Sequence, residues 1–186
     1  MKRAILFFGI ILSGLAIAQQ TPKVLKTIFT KEALAQKITA ENGDVISIKD
    51  VFSKHKGKVI VLDLWAGWCR DCILALPKAE ELEKNNPEVH FVFFSLDRNR
   101  EGFDKSLEKF NMKGKENYWF SEGWKNNFNN YIDLNWIPRY LVIDQKTKIA
   151  KYYAITPDDP EIQITINKLL KKIILKNKVI RSAHLS

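Results

Sequence analysis

The chain has 186 residues, 46% of them hydrophobic, and sets 30 Lys and Arg against 21 Asp and Glu for a formal net charge of +9. That length supplies one domain with a real core and is tight for two. No internal repeat, low-complexity tract or Pro/Gly-rich linker divides the chain, and no nucleic-acid-binding motif accompanies its basic excess, so repeat architectures and nucleic-acid partners are set aside.

Met1-Lys2-Arg3 is a basic start, followed by the uncharged run Ala4 to Ala18, which closes on Ala16-Ile17-Ala18. This is the pattern of a secretory signal cleaved before Gln19. The run is short for a membrane span of about 20 residues, and an uncleaved anchor is the alternative. No cysteine follows it, which excludes lipoprotein anchoring, and no second apolar stretch is long enough to cross a bilayer. The expectation is an exported, periplasmic protein, soluble after cleavage. Its parts would be a signal (1–18), an N-terminal lead (19–29), a domain (30–175) and a basic C-terminal tail (176–186).

From about Thr30 to Ile48, apolar positions flank an Asn42-Gly43 turn and read as a leading hairpin. Asp50 to Lys54 is long enough for one helical turn. Val59 to Leu64 is nearly all apolar, as in a strand buried on both faces. The cysteine motif follows, then Ile73, Leu76, Ala79 and Leu82 at helical spacing until Asn85-Asn86-Pro87. Val89 to Leu96 is a second buried strand. Strand, helix and strand in that order make a right-handed βαβ unit with parallel pairing.

A helix around Gly102 to Phe110, a short strand near Tyr118 to Phe120 and a helix over Trp124 to Tyr131 come next. Ile137-Pro138 precedes a strand at Tyr140 to Ile143, a tight turn, and an antiparallel strand at Ile149 to Tyr153. A last helix can start at Asp159-Pro160, a capping residue followed by proline. Ile162, Ile164 and Ile166 also alternate like a strand. Lys168, Lys171, Lys172, Lys176, Lys178 and Arg181 follow with no acid between them. They suit the solvated face of a helix end, or a weak contact with an anionic membrane surface. The sum is an α/β fold, a mixed central sheet with helices on both faces.

The only two cysteines lie in "WAGWCRDC", Cys69 and Cys72. As a structural staple so small a loop gains about 2 kcal/mol, against about 4.7 for a hundred-residue loop. A structural metal needs about four ligands; there is no second pair, and His55, His90 and His184 are scattered over a basic loop, a strand and the tail. Haem attachment needs histidine where Ile73 stands. A redox dithiol remains. Between a buried strand and a helix, unpaired N–H groups and the dipole stabilise a thiolate. Cys69 takes that position, exposed and nucleophilic, while Cys72 is one turn along and able to resolve a mixed disulfide.

"LDLWAGWCRDC" resembles the thioredoxin active-site segment, and its surroundings agree. Pro77 falls where thioredoxins carry the proline of the active-site helix, Asp63 where they carry a buried aspartate, and Ile137-Pro138 resembles their cis-proline turn. The export signal, the leading hairpin and the extra segment between Leu96 and Trp136 resemble the TlpA/ResA-like extracytoplasmic thiol–disulfide oxidoreductases. The resemblance covers about Thr30 to Leu175. It implies a thioredoxin-like fold with an N-terminal hairpin and an insertion before the cis-proline strand. It also implies reduction of envelope-protein disulfides without a cofactor beyond the Cys69–Cys72 pair, and electrons from a membrane thiol donor. Oxidase or isomerase activity, or a binding module or Cu(I) metallochaperone, are the alternatives.

Asp63, a lone acid in an apolar strand, is expected to have a raised pKa and to exchange a proton with Cys72; the alternative is an inward acid satisfied by backbone donors. Pro138 would be cis and leave the backbone of Ile137 open to an extended substrate. Trp68 would wall the sulfur pocket, with Trp65 in the core and Trp119, Trp124 and Trp136 as packing residues, although Trp136 could border the groove. Two departures from the family stand out: Ala75 replaces a common glutamate, and Arg139 follows the cis-proline where threonine is common. Arg139 reads either as a cation at the mouth or as an arm in solvent. Arg70 should favour the Cys69 thiolate, and Asp71 should oppose it.

Overall fold

A computed structural model describes the backbone of residues 21–183 and the side chains of residues 21–172. The proposed signal, and the side chains of Ile173, Ile174, Lys176, Lys178, Arg181 and His184, lie outside the described residues. Seven strands form one sheet. In chain order the elements are α1 (Lys31–Ala35), β1 (Lys37–Ala40), β2 (Val45–Ser47), α2 (Ile48–Lys54), β3 (Ile60–Trp65), α3 (Arg70–Asn85) and β4 (His90–Ser95). They continue with α4 (Arg100–Lys109), β5 (Glu116–Trp119), α5 (Asn127–Tyr131), β6 (Arg139–Ile143), β7 (Ile149–Ala154) and α6 (Pro160–Ala183). The strand order is β2-β1-β5-β4-β3-β6-β7.

β3, β4 and β5 run parallel, and the remaining pairs are antiparallel. Every residue of β3 is buried, as its continuous apolar run requires. The segment expected as an insertion supplies β5, which pairs with β4 on one side and with the leading hairpin on the other. It is therefore an interior strand that joins the hairpin to the sheet. Phe94 of β4 anchors an aromatic core, its ring centroid 5.5 to 6.3 Å from those of Phe52, Phe120 and Phe128.

The helices begin where short polar side chains can accept their free N–H groups. Ser47 and Asp50 form a capping box on α2, Asn99 caps α4 and Asn126 caps α5. The last cap starts α5 three residues later than the hydrophobic pattern predicts, leaving Trp124 in the preceding loop. α1, capped by Thr30, is a turn of helix the pattern did not show. In α6 the isoleucine alternation resolves as a helix: Ile162 and Ile166 are buried and Ile164 is exposed. No described helix is long and apolar enough to cross a membrane.

Two of the three histidines come together rather than scatter. Parallel pairing puts the starts of β3 and β4 side by side, so His55 and His90 meet with ring centroids 4.3 Å apart, and His55 Nε2 lies 2.6 Å from Glu116. This is the opposite end of β3 from the cysteines. Among the described residues no three His, Cys, Asp or Glu are grouped to hold a metal ion.

Candidate active site

β3 delivers the chain to its C-terminal edge, and Ala66-Gly67-Trp68 turns it into α3. Cys69 is the N-cap of that helix, its sulfur 3.2 Å from the Cys72 N–H that points at it. The two cysteines are joined in a disulfide. Cys69 is 7% exposed and Cys72 2%, so the outer sulfur is far less open than its position in the sequence suggests, though it remains the more accessible of the two. α3 runs through Pro77, whose missing N–H leaves the Ile73 carbonyl without its helical donor.

The turn before Cys69 is held from behind by Asp97, a buried acid that the sequence reading overlooked. The Gly67 N–H donates to both Asp97 oxygens at 3.1 and 3.3 Å, and Ser95 Oγ donates at 2.8 Å. Burial raises the Asp97 pKa, and these donors partly offset it. An acid closing an otherwise apolar strand is the same signal that singled out Asp63. Gly67 packs so tightly here that a Cβ on it would sit 1.8 Å from Ser106 Oγ. Gly67→Ala is therefore expected to lower stability by about 1–3 kcal/mol, with partial recovery when Ser106→Gly is added. Equal denaturation midpoints for wild type and G67A would contradict this close approach.

Asp63 is buried at the centre of β3, and burial pushes its pKa up to about 7, tempered by a hydrogen bond with Tyr140. The two residues are direct cross-strand partners, which places both side chains on one face of the sheet. Asp63 Oδ1 has no hydrogen-bond partner among the described residues. Tyr140 also feels the charge of Asp158, which is bonded to Lys78 of α3. The pair therefore lies on the face of the sheet that α3 covers, where Cys72, Ala75, Ala79 and Leu82 point inward.

The Ile137–Pro138 bond is cis, and the Ile137 carbonyl oxygen lies 3.6 Å from the Cys69 sulfur. Arg139 corrects the sequence reading on both counts: it is neither at the mouth nor in solvent but fully buried. Pleating puts its side chain on the opposite face of the sheet from its neighbour Tyr140 and from Asp63. Its guanidinium lies 4.1 Å from the Tyr153 ring centroid and donates to Asn135 Oδ1 (2.9 Å) and the Ile132 carbonyl (3.4 Å). Burial lowers its pKa, opposed by Tyr153, Tyr152 and Asp133. Arg139 thus braces the turn that carries Trp136, Ile137 and Pro138.

Trp68 is 51% exposed and donates its indole N–H to the Leu96 carbonyl at 3.3 Å. Trp65 is buried in the core. A cavity of about 260 Å³ opens beside Cys69 between Trp68, Trp124 and Trp136. Across Trp136 a second cleft of about 510 Å³ is lined by Pro138, Ala75 and Lys78. Arg70 and Asp71 are exposed at the start of α3.

A mixed sheet with a Cys-x-x-Cys disulfide capping the helix after a buried strand, faced by a cis-proline turn, defines a thioredoxin-fold dithiol protein. Residues 57–149 match the model of a thioredoxin-like family. A solution structure from Bacteroides vulgatus, classed as a thiol–disulfide oxidoreductase, is 30% identical, with 77% of this chain and 91% of that one covered at a TM-score of 0.62. A thioredoxin H-type of Oryza sativa subsp. indica is 31% identical over 91 residues, 45% of this chain and 71% of the relative. A secreted Mycobacterium tuberculosis disulfide oxidoreductase homologous to E. coli DsbE shares the fold at 19% identity, with 75% of this chain and all of that one covered at a TM-score of 0.55. The chain belongs to the thioredoxin-like family, and it is a thiol–disulfide oxidoreductase.

Proposed function

We propose that this protein works outside the cytoplasm as a reductase of protein disulfides. The observation that carries the reading is the asymmetry of the pair: Cys69 caps α3 at the cis-proline turn, and Cys72 lies deeper on the same helix. In the reduced protein the Cys69 thiolate attacks one substrate sulfur, forming a mixed disulfide and releasing the other substrate sulfur as thiolate. Cys72, its proton passed to Asp63, then attacks the Cys69 sulfur. The Cys69–Cys72 disulfide forms, the second substrate thiol leaves, and two electrons have moved to the substrate. Trp68, Ile137 and Pro138 form the surface against which the substrate lies, with Arg139 bracing that surface from inside. A membrane thiol donor re-reduces the pair, and no cofactor takes part. The export signal in the sequence supports an extracytoplasmic site of action.

Insulin reduction with an added thiol tests the activity, and the reduction potential tests its direction. A value near −270 mV fits a reductase, whereas one near −120 mV marks an oxidant. Metal retained through purification in place of thiol exchange would favour the metallochaperone. Asp71 is the residue expected to hold the potential low, because its charge competes with the Cys69 thiolate for the positive end of α3. In Asp71→Asn the thiolate is better stabilised and the potential is expected to rise by about 30 mV, a tenfold change in equilibrium. A variant more reducing than wild type would overturn this role.

A further inference from the structure

Three of the five tryptophans in the chain, Trp68, Trp124 and Trp136, converge on one cavity beside the Cys69 sulfur. They arrive from three separate segments: the turn before α3, the loop before α5 and the turn before β6. Two of the rings are fixed by their own N–H groups. Trp68 donates to the Leu96 carbonyl, and Trp124 donates to the Leu134 carbonyl at 3.2 Å. Trp136 sits on the turn that buried Arg139 braces through Asn135 and the Ile132 carbonyl. The walls are therefore set before anything binds, which is the arrangement that makes a small apolar pocket selective.

We infer that this pocket selects substrates by receiving a large neutral side chain, aromatic or long aliphatic, carried by the residue next to the half-cystine that Cys69 attacks. The inference rests on the exchange reaction above, since a sulfur attacked by Cys69 must bring its own neighbouring residues to the cavity that Cys69 borders. At about 260 Å³ the space takes one side chain and no folded element. Its walls are indole rings and Ile137, and its charged rim, Arg70 and Asp71, offers one group of each sign, so neither an acidic nor a basic occupant gains a net counter-charge.

The test uses the reduced protein and symmetrical disulfides of short peptides in which the residue beside cysteine is Phe, Leu, Ala, Glu or Lys. With wild type the Phe and Leu peptides are expected to react at least about tenfold faster than the Ala peptide, the range that filling an apolar pocket supplies. In Trp136→Ala and in Trp124→Ala that ratio is expected to fall to about threefold or less. Equal rates across the peptides, a faster Glu or Lys peptide, or an unchanged ratio in both variants would overturn the proposal. Should a variant not fold, the wild-type protein supplies the second measurement. Titrating an unreactive Phe-Ser peptide is expected to shift the Trp124 and Trp136 indole N–H resonances more than that of Trp65, and no such shift overturns the assignment. Hydroxyethyl disulfide, which carries no side chain for the pocket, separates the two levels. If it also failed to react with the reduced protein, the exchange reaction itself would be wrong and the pocket's role would fall with it.

Discussion

Cys72→Ser is expected to abolish turnover while preserving the first chemical step, so that the protein accumulates as a covalent adduct with its substrate. The expectation follows from where the two sulfurs sit. Cys69 occupies the helix N-cap, receives the Cys72 N–H, borders the tryptophan cavity and is the sulfur that a bulky partner can approach. Cys72 is on the inward face of α3, 2% exposed, and can reach only a disulfide already formed at Cys69. An intramolecular thiol so placed acts at an effective concentration that no dissolved thiol matches. Its loss is expected to slow completion of the cycle by on the order of 10³-fold or more. Insulin turnover reads the loss, and a non-reducing gel or intact mass reads the adduct. Cys69→Ser is expected to give neither turnover nor adduct. Trapping by C69S in place of C72S would mean that the two roles are reversed.

Where function depended on contiguous residues, the sequence was legible. β3, the motif and α3 follow from one apolar run, one spacing and one periodicity, and the cis turn at Ile137–Pro138 followed from resemblance. What escaped depends on strand register, which no local pattern encodes. Arg139 immediately follows Pro138, yet the two do different things. The guanidinium is buried within the fold, while the Ile137 carbonyl just before the proline faces the Cys69 sulfur. Tyr140 could be matched to Asp63 only once β6 was known to run antiparallel to β3. Trp124 reads as packing, and Trp136 as packing or as a border of the groove, because their segments meet Trp68 only after β5 joins the sheet and α5 returns the chain. Asp97 is a different case, since an acid at the end of an apolar strand was visible and was passed over.

Burial gives the second large effect its sign. Asp63 keeps its proton in the folded protein up to about pH 7, whereas in the unfolded chain it loses it near 3.8. The folded state therefore binds more protons across that window, and stability must fall as pH rises from about 4 to 7. The full difference is on the order of 4 kcal/mol, from 1.36 kcal/mol for each pKa unit. Asp63→Asn keeps the shape and removes the charge. It should match wild type near pH 4 and exceed it by several kcal/mol above pH 7, read as the difference between urea midpoints across pH. The same substitution removes the proposed acceptor for the Cys72 proton. Resolution of the mixed disulfide in single turnover should slow by about 10² in D63N, and the rise in rate near pH 7 should vanish. Stability gained together with catalysis lost is the signature of a buried acid kept for its chemistry. A variant that gained the stability but kept the inflection near pH 7 would show that Asp63 is only an inward acid, and that the proton of Cys72 leaves by another route.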